Sequence, residues 1–362
     1  MRKLLRPSSP FDILPDSLIF SDLHLHERKE FEQVDEKTGL NSRLVEGLNI
    51  FQQIIDILRS HPEIKWVYSL GDLFELKDKV PSHLLIECNK MLSEIEKGEV
   101  LHTALLGNHD FNLPKYPIAK LFDLCLITLT QMITRIDGVK IGFIPYERKF
   151  EDFLVNLKGI NSQNPDIVFF HQEIPGVTYE TGREIPGRMD SYFFNPGTLY
   201  ISGHIHKVQM CGNVQYVGSP YQIRFSDEGQ NRFIWVLNSK TKKLAPIKLK
   251  YPEFKSLDVK SFPDQWDKAT SLEGNYIRVV GDVPASQWNT EIKNDIRSKL
   301  QGAGARGISF QVQIVKQRQS QIPENIIEDD DSIINLYVQN NSEGTDLNID
   351  DLIRTGIEIF KS

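Results

Sequence analysis

The stretch LIFSDLHLH at residues 18–26 decides the architecture: an apolar run suited to a buried strand ends abruptly in a cluster of aspartate and histidine. The same arrangement returns as WVYSLGD at 66–72, VLHTALLGNHD at 100–110, IVFFHQE at 167–173 and LYISGHIH at 199–206. Each run is short and mostly apolar, as in a buried strand, and each polar cluster falls at or just beyond a strand's end. Val139 to Ile144 reads as another such strand. Between the early runs the period changes. Leu44, Leu48, Phe51, Ile55 and Leu58 step by three and four, as do Leu84, Cys88, Met91, Leu92 and Ile95, which predicts a helix at each place. Alternating strands and helices predict an α/β core.

After about residue 205 the pattern turns to strands and turns, with Val214 to Val217 and Phe233 to Leu237 closing the core as hairpins. We place a first domain at 1–250 and a linker at 251–270, where two prolines interrupt a stretch without a clear period. A small α+β domain is expected at 271–325. It carries a strand at Tyr276 to Val280 and a helix presenting Trp288, Ile292, Ile296 and Leu300. A glycine-rich turn and a strand alternating at Ile308, Phe310, Val312 and Ile314 follow. Residues 326–362 read as an acidic tail that closes with a helix carrying Leu352, Ile353, Ile357 and Phe360 on one face, weakened by Gly356.

Composition narrows the class. The 362 residues are 40% hydrophobic and 25% charged, ordinary for a globular protein, which argues against disorder and collagen. No apolar run approaches the roughly 20 residues of a membrane span, and Pro7, Pro10 and Pro15 break the start where a signal peptide would be apolar. The expected location is cytoplasmic. Cys88, Cys125 and Cys211 are widely spaced and form no CxxC pair, so neither a disulfide framework nor a zinc ribbon is indicated. The net charge of −7 is uneven: from Glu324 onward ten acids face Arg354 and Lys361, leaving the preceding residues near +1. Nucleic acid is neither demanded nor excluded by that balance, because binding needs a local basic surface.

Taken singly, Asp22 with His24, Asp72, Asn108 with His109 and Asp110, His171, and His204 with His206 could each be ordinary turn or surface residues. Together they hold five of the chain's nine histidines. Imidazole, carboxylate and one amide make a mixed donor set suited to Mn²⁺, Fe or Zn²⁺, and no cysteine belongs to it. Two ions held close together need a ligand that reaches both, and a carboxylate such as Asp72 can bridge.

These motifs, DxH, GDxx, GNHD, H and GHxH in that order over about 185 residues, resemble the calcineurin-like metallophosphoesterases. The resemblance implies a metallophosphoesterase β-sandwich flanked by helices, and two divalent ions, Mn²⁺ foremost with Mg²⁺, Fe or Zn²⁺ as alternatives. One ion would be bound by Asp22, His24, Asp72 and His206. The other would be bound by Asp72, Asn108, His171 and His204. His109 would be the catalytic histidine, oriented by Asp110. Finer features, GDLFELKDKVPS, FFHQE and GHIHKVQMCGNVQYVGSPYQIRFSDEG, are similar to the Mre11/SbcD nuclease branch, in which a linker and a small capping domain follow. In length the chain is like the compact phage-encoded and bacterial members. One departure is His26, where the branch usually has glycine; three readings of it are a hydrogen-bond donor behind a metal ligand, a phosphate contact and an inert side chain.

The implied activity is hydrolysis of DNA phosphodiesters by a metal-activated water, with exonuclease and endonuclease action in recombination and double-strand-break processing. A homodimer and a Rad50/SbcC-like ATPase partner are implied too, the helix at Leu352 to Phe360 being the docking candidate. Candidate phosphate contacts follow the metal motifs in sequence: Arg28, Lys29, Lys77, Lys79, Lys115, Arg183 and Arg188. Tyr221, Arg224 and Phe225 are candidates for the wall of the site. The alternative reading is a metallophosphoesterase acting on small phosphodiesters or phosphomonoesters.

Overall fold

Apolar runs buried on both faces become the two inner layers of a four-layer sandwich. The computed structural model describes residues 9–75, 80–113, 116–117, 126–128, 130–261, 272–315, 330–341 and 348–361. The strands are β1 (Ser17–Phe20), β2 (Trp66–Ser69), β3 (Leu101–Leu105), β4 (Phe111–Leu113), β5 (Tyr116–Pro117), β6 (Leu126–Thr128), β7 (Met132–Ile136), β8 (Val139–Ile144) and β9 (Ile167–Phe170). They continue with β10 (Leu199–Ser202), β11 (Gln209–Cys211), β12 (Val214–Tyr216), β13 (Ile234–Asn238), β14 (Lys243–Ile247), β15 (Phe254–Asp258), β16 (Tyr276–Pro284) and β17 (Gly307–Val315). One six-stranded sheet runs β14-β13-β1-β2-β3-β6 and a second β11-β12-β10-β9-β8-β7; β4 and β5 form a separate pair. The centre of each sheet is parallel, β1 to β2 to β3 in one and β8 to β9 to β10 in the other; antiparallel hairpins form three of the four edges, and the fourth, β6, runs parallel to β3.

The register explains why the runs show no alternation. In β1, Ile19 faces the layer between the sheets, while Leu18 and Phe20 face the helices. In β9, Ile167 and Phe169 enter that middle layer and Val168 and Phe170 point outward. Both faces are apolar, so successive side chains are buried alternately on opposite sides. Helices α1 (Ser42–Ser60) and α2 (Ser82–Lys97) cover the first sheet through Leu44, Phe51, Ile55, Leu84, Cys88 and Leu92. The Asn41 side chain caps α1 by accepting from the Arg43 amide at 2.8 Å. Helix α3 (Phe150–Asn161) covers the second sheet through Phe153, Leu157 and Ile160.

The stretch expected as a linker contains β15, which pairs in parallel with β16. Of its residues only Phe254 is fully buried, so the sequence carries no two-residue period to announce a strand. Phe254 sits 4.9 Å from Tyr276 in a stack, and the Arg43 guanidinium lies over both rings. Glu46, buried beside Arg43, accepts from the Tyr276 hydroxyl and pairs with Arg306 at 2.9 Å. A buried charge cluster whose members are all paired thus fixes this edge to α1.

The chain divides into two units, Met1–Val280 with Ile296–Gln311, and Gly281–Asp295 with Val312–Ser362. Helix α4 (Thr290–Gly302) buries Ile296 and Leu300 in the first. The second contains α5 (Asp330–Asn341), a helix in what the sequence presented as acidic tail, and α6 (Ile349–Lys361). Gly356 explains itself here, because a Cβ on it would come within 2.9 Å of Ile334 on α5. Among the described residues no helix is long and apolar enough to cross a membrane.

Candidate active site

Every polar cluster of the sequence lies at the C-terminal end of a strand. Asp22 and His24 follow β1, Asp72 follows β2, Asn108 to Asp110 follow β3, His171 follows β9, and His204 and His206 follow β10. Three of these strands belong to one sheet and two to the other, so the residues converge over one end of the sandwich. The backbone there is strained: Asp22, His24, Asp72 and His204 all have positive φ, between 44° and 77°. Such non-glycine conformations cost on the order of 1–3 kcal/mol each and persist only where surroundings enforce them. The amides of Asp22 and His24 donate to the carbonyls of Gly71 and Asp72, both at 3.0 Å, and the His204 amide donates to Asp22 Oδ2 at 3.0 Å.

Two groups of donors share one carboxylate. In the first, His24 Nε2 and His206 Nε2 approach to 3.0 Å, and Asp22 Oδ1 lies 3.8 and 3.9 Å from them. In the second, Asn108 Oδ1 lies 3.2 Å from His171 Nε2 and 2.9 Å from His204 Nδ1. Asp72 Oδ2 faces both, 3.6 Å from His24 Nε2 and 3.4 Å from His171 Nε2. The Asp22–His24–His206 and Asp72–His171–His204 donor atoms each lie within 4.8 Å of one another. A divalent ion fits this chemistry. Asp22 Oδ1 is buried without a hydrogen-bond partner, and two imidazole nitrogens are turned toward each other, an arrangement that a shared cation satisfies.

The electrostatics favour positive charge at the same place. Burial pushes the Asp22 carboxyl up, but the imidazoles of His24, His171 and His206 outweigh it and hold its pKa at about 2. Burial opposes charge on His24 too, yet Asp22, Glu75 and Asp72 lift it to about 10; His171 rises to about 9, mainly through Asp72 working against burial. His206 goes the other way, to about 4, from burial and the neighbouring His24 charge.

Asp110 is buried among the supporting residues. Its carboxylate accepts from the Asp72 and Gly107 amides at 2.8 Å and from the Leu73 amide at 3.2 Å, clamping two loops together. The Glu75 carbonyl accepts from His109 Nδ1 at 2.6 Å, while the His109 amide donates to Asp72 Oδ1 at 2.7 Å. The Glu75 carboxylate reaches His24 Nδ1 at 2.9 Å and pairs with Arg28. His26 is buried and held neutral, its pKa pushed down to about 3 by burial, and it donates from Nδ1 to the His24 carbonyl. That burial removes it as a phosphate contact. Glu180 accepts from the His206 amide at 2.8 Å and the buried Arg232 donates to the His206 carbonyl. No motif marks Glu75, Glu180 or Arg232 for these roles; the proximity of Glu75 to Asp72 in GDLFE was the one available signal.

Arg28 lines the cleft over the donors. Lys29 and Arg183 are exposed, the latter near Glu173, which lies 3.2 Å from His204 Nε2. Arg188 lines a separate depression with Pro175, Glu184 and Cys211. Lys77, Lys79 and Lys115 lie outside the described residues.

A two-sheet α/β sandwich with a shared-carboxylate cluster of aspartate and histidine at its strand ends defines a metal-dependent phosphodiesterase. The chain belongs to the calcineurin-like phosphoesterases, whose family pattern matches residues 17–208. It is 24% identical over 272 residues to exonuclease subunit 1 of Enterobacteria phage T4, covering 65% of this chain and 76% of that protein. Among solved structures it is similar to an archaeal phosphodiesterase at 14% identity and a TM-score of 0.34, over 64% of this chain and 99% of the other. It is similar also to the Pseudomonas putida nuclease MPE, at 11% identity and a TM-score of 0.29, over 65% of this chain and 88% of the other.

Proposed function

We propose that this chain is a two-metal DNA nuclease of the Mre11/SbcD type, an exonuclease and endonuclease acting in DNA recombination and double-strand-break processing. The observation that carries the reading is Asp72 Oδ2 standing between two donor groups, Asp22–His24–His206 and Asn108–His171–His204. The similarity to a phage exonuclease subunit supports DNA as substrate. These seven residues would hold the ions; their nitrogen and oxygen donors, without thiolate, suit Mn²⁺, Fe or Zn²⁺, and the family resemblance puts Mn²⁺ first. When bound, two divalent ions supply Lewis acidity, which makes a water nucleophilic near neutral pH and offsets charge on the phosphate.

The chain's own contribution is positional. The Glu75 carbonyl holds a proton of His109 on Nδ1, in a residue that lines the cleft. As the imidazolium, protonated at Nε2 as well, the ring can donate to the phosphate or hand that proton to the leaving oxygen, returning to the neutral form with its proton on Nδ1. A Rad50/SbcC-like ATPase, DNA and a second copy of the chain are the proposed partners, in the cell interior, with α6 as the docking element. The domain limits 1–250, 271–325 and 326–362 remain our proposal for the functional division.

The test is cleavage of end-labelled linear duplex DNA with Mn²⁺, Mg²⁺ or EDTA, comparing the parent with His109→Ala. Shortening that needs metal and is lost in the variant is expected. Intact DNA alongside hydrolysis of a small phosphodiester would favour the alternative substrate class.

A further inference from the structure

The sequence offers many cations as phosphate contacts, and the structure separates them. Two arginines, Arg28 and Arg224, line the cleft that also contains His24, Asp72, His109 and His206. Arg28 is half-buried and its guanidinium is engaged by the Glu75 carboxylate, so its charge is already offset within the protein. Arg224 is exposed, and no carboxylate lies within ion-pair distance of it among the described residues. Its backbone, in contrast, is held firmly. The amides of Ile223 and Arg224 both donate to Asp227 Oδ2, at 2.8 and 3.2 Å. Asp227 is fully buried and pairs with the equally buried Arg232 at 2.8 Å. Arg232 in turn donates to the carbonyl of His206, a residue of the first donor group. One chain of contacts therefore ties the base of the Arg224 side chain to the loop that carries His206, while its guanidinium stands in solvent at the cleft mouth. A planar cation with paired N–H donors, anchored at its root and uncommitted at its tip, suits a phosphodiester's non-bridging oxygens.

We propose that Arg224 binds a backbone phosphate of the DNA strand in the cleft, and that it, more than Arg28, supplies the protein's cationic contact to substrate there. The inference rests on the nuclease reading above. It assigns Arg28 a different role, that of holding the Glu75 carboxylate against His24.

The experiment uses the full chain with Mn²⁺ and labelled duplex DNA, comparing the parent with Arg224→Ala and Arg224→Lys at several salt concentrations. Three further readouts are Mn²⁺ affinity by calorimetry, melting temperature, and turnover of bis(p-nitrophenyl) phosphate. For Arg224→Ala we expect KM for DNA to rise about tenfold or more and the salt dependence to weaken by about one unit of slope, as for one lost phosphate contact. Arg224→Lys should recover part of the loss, and Mn²⁺ affinity and melting temperature should match the parent. Unchanged KM and salt slope would overturn the proposal. A fall in Mn²⁺ affinity or melting temperature that accounts for the loss would overturn it too, by making the residue structural. If the parent cleaves only bis(p-nitrophenyl) phosphate, the nuclease reading fails by itself, and Arg224 is then judged by KM for that substrate: a rise supports phosphate binding, and no change rejects it.

Discussion

Glu75 stands three residues after Asp72, and its two ends serve different histidines: the carbonyl accepts from His109 Nδ1 and the carboxylate lies 2.9 Å from His24 Nδ1. Only the second contact depends on the side chain. Carboxylates behind metal-binding imidazoles fix ring orientation and raise basicity, and their loss costs about 10–100-fold in metal affinity. Glu75→Ala should therefore weaken Mn²⁺ binding by about that factor in a calorimetric titration; unchanged affinity would show the contact to be idle. His102 on β3 makes a separate prediction, away from the donors. It is buried, its Nε2 meets Ser69 Oγ at 2.9 Å, and burial pushes its pKa down to about 4. The unfolded ring takes a proton near 6.5, whereas the folded ring stays neutral to about 4, so protons favour the unfolded chain between those values. Stability from this residue is complete above pH 6.5 and falls as pH drops toward 4, by ~3 kcal/mol in all. Urea unfolding of parent and His102→Gln at pH 7.5 and 4.5 checks this: the variant should lose less on acidification, and an equal loss would reject it.

At the scale of elements, the site is made by how closely the strand-end loops approach. Gly203, before His204, needs no unusual φ; a Cβ there would instead meet Ser21 Oγ and lie 2.5 Å from the Leu70 carbonyl. Gly71, before Asp72, has φ +99° and would bring a Cβ to 2.8 Å from Gly107 Cα. Backbone cannot yield as a flexible side chain can, so Gly203→Ala should destabilise the protein by roughly 1–3 kcal/mol and weaken metal binding together with it. Thermal unfolding and a metal titration on the same variant test this, and a normal melting temperature would mean that the loops have slack. Glycines precede Asp72, Asn108 and His204 in the sequence, but nothing there shows that Gly71 and Gly203 are also points of contact between loops from different sheets. Strands such as β1 and β9 were legible because burial on both faces writes an uninterrupted apolar run. β15 was not, because Phe254 alone of its residues is fully buried, and neither was α5, which starts at acidic Asp330. The donors were legible because each follows a strand directly; Glu180 and Arg232 were not, since their partner His206 is reached only through the fold.

For the whole molecule, the donor residues come from both sheets: Asp22, His24, Asp72 and Asn108 from one, and His171, His204 and His206 from the other. Behind them the sheets are joined by an apolar layer that includes Ile19, Tyr68, Phe143, Phe169 and Ile201. At the open end this adhesion gives way to buried carboxylates and imidazoles, with Asp22 Oδ1 left unpartnered. A cation bound there would therefore fasten one sheet to the other at the end where hydrophobic contact does not. Binding to the folded state alone stabilises by about 2.7 kcal/mol at a metal concentration one hundred times the dissociation constant, which for a chain of this size is a rise of several degrees in melting temperature. Scanning fluorimetry of the full chain in EDTA and in graded Mn²⁺ should show that rise growing with metal concentration. Asp72→Asn should reduce it more than His206→Ala does, because Asp72 Oδ2 faces both donor groups whereas His206 belongs to one. A melting temperature that is the same in EDTA and in Mn²⁺ would mean that the two sheets are held at this end by something other than a shared ion.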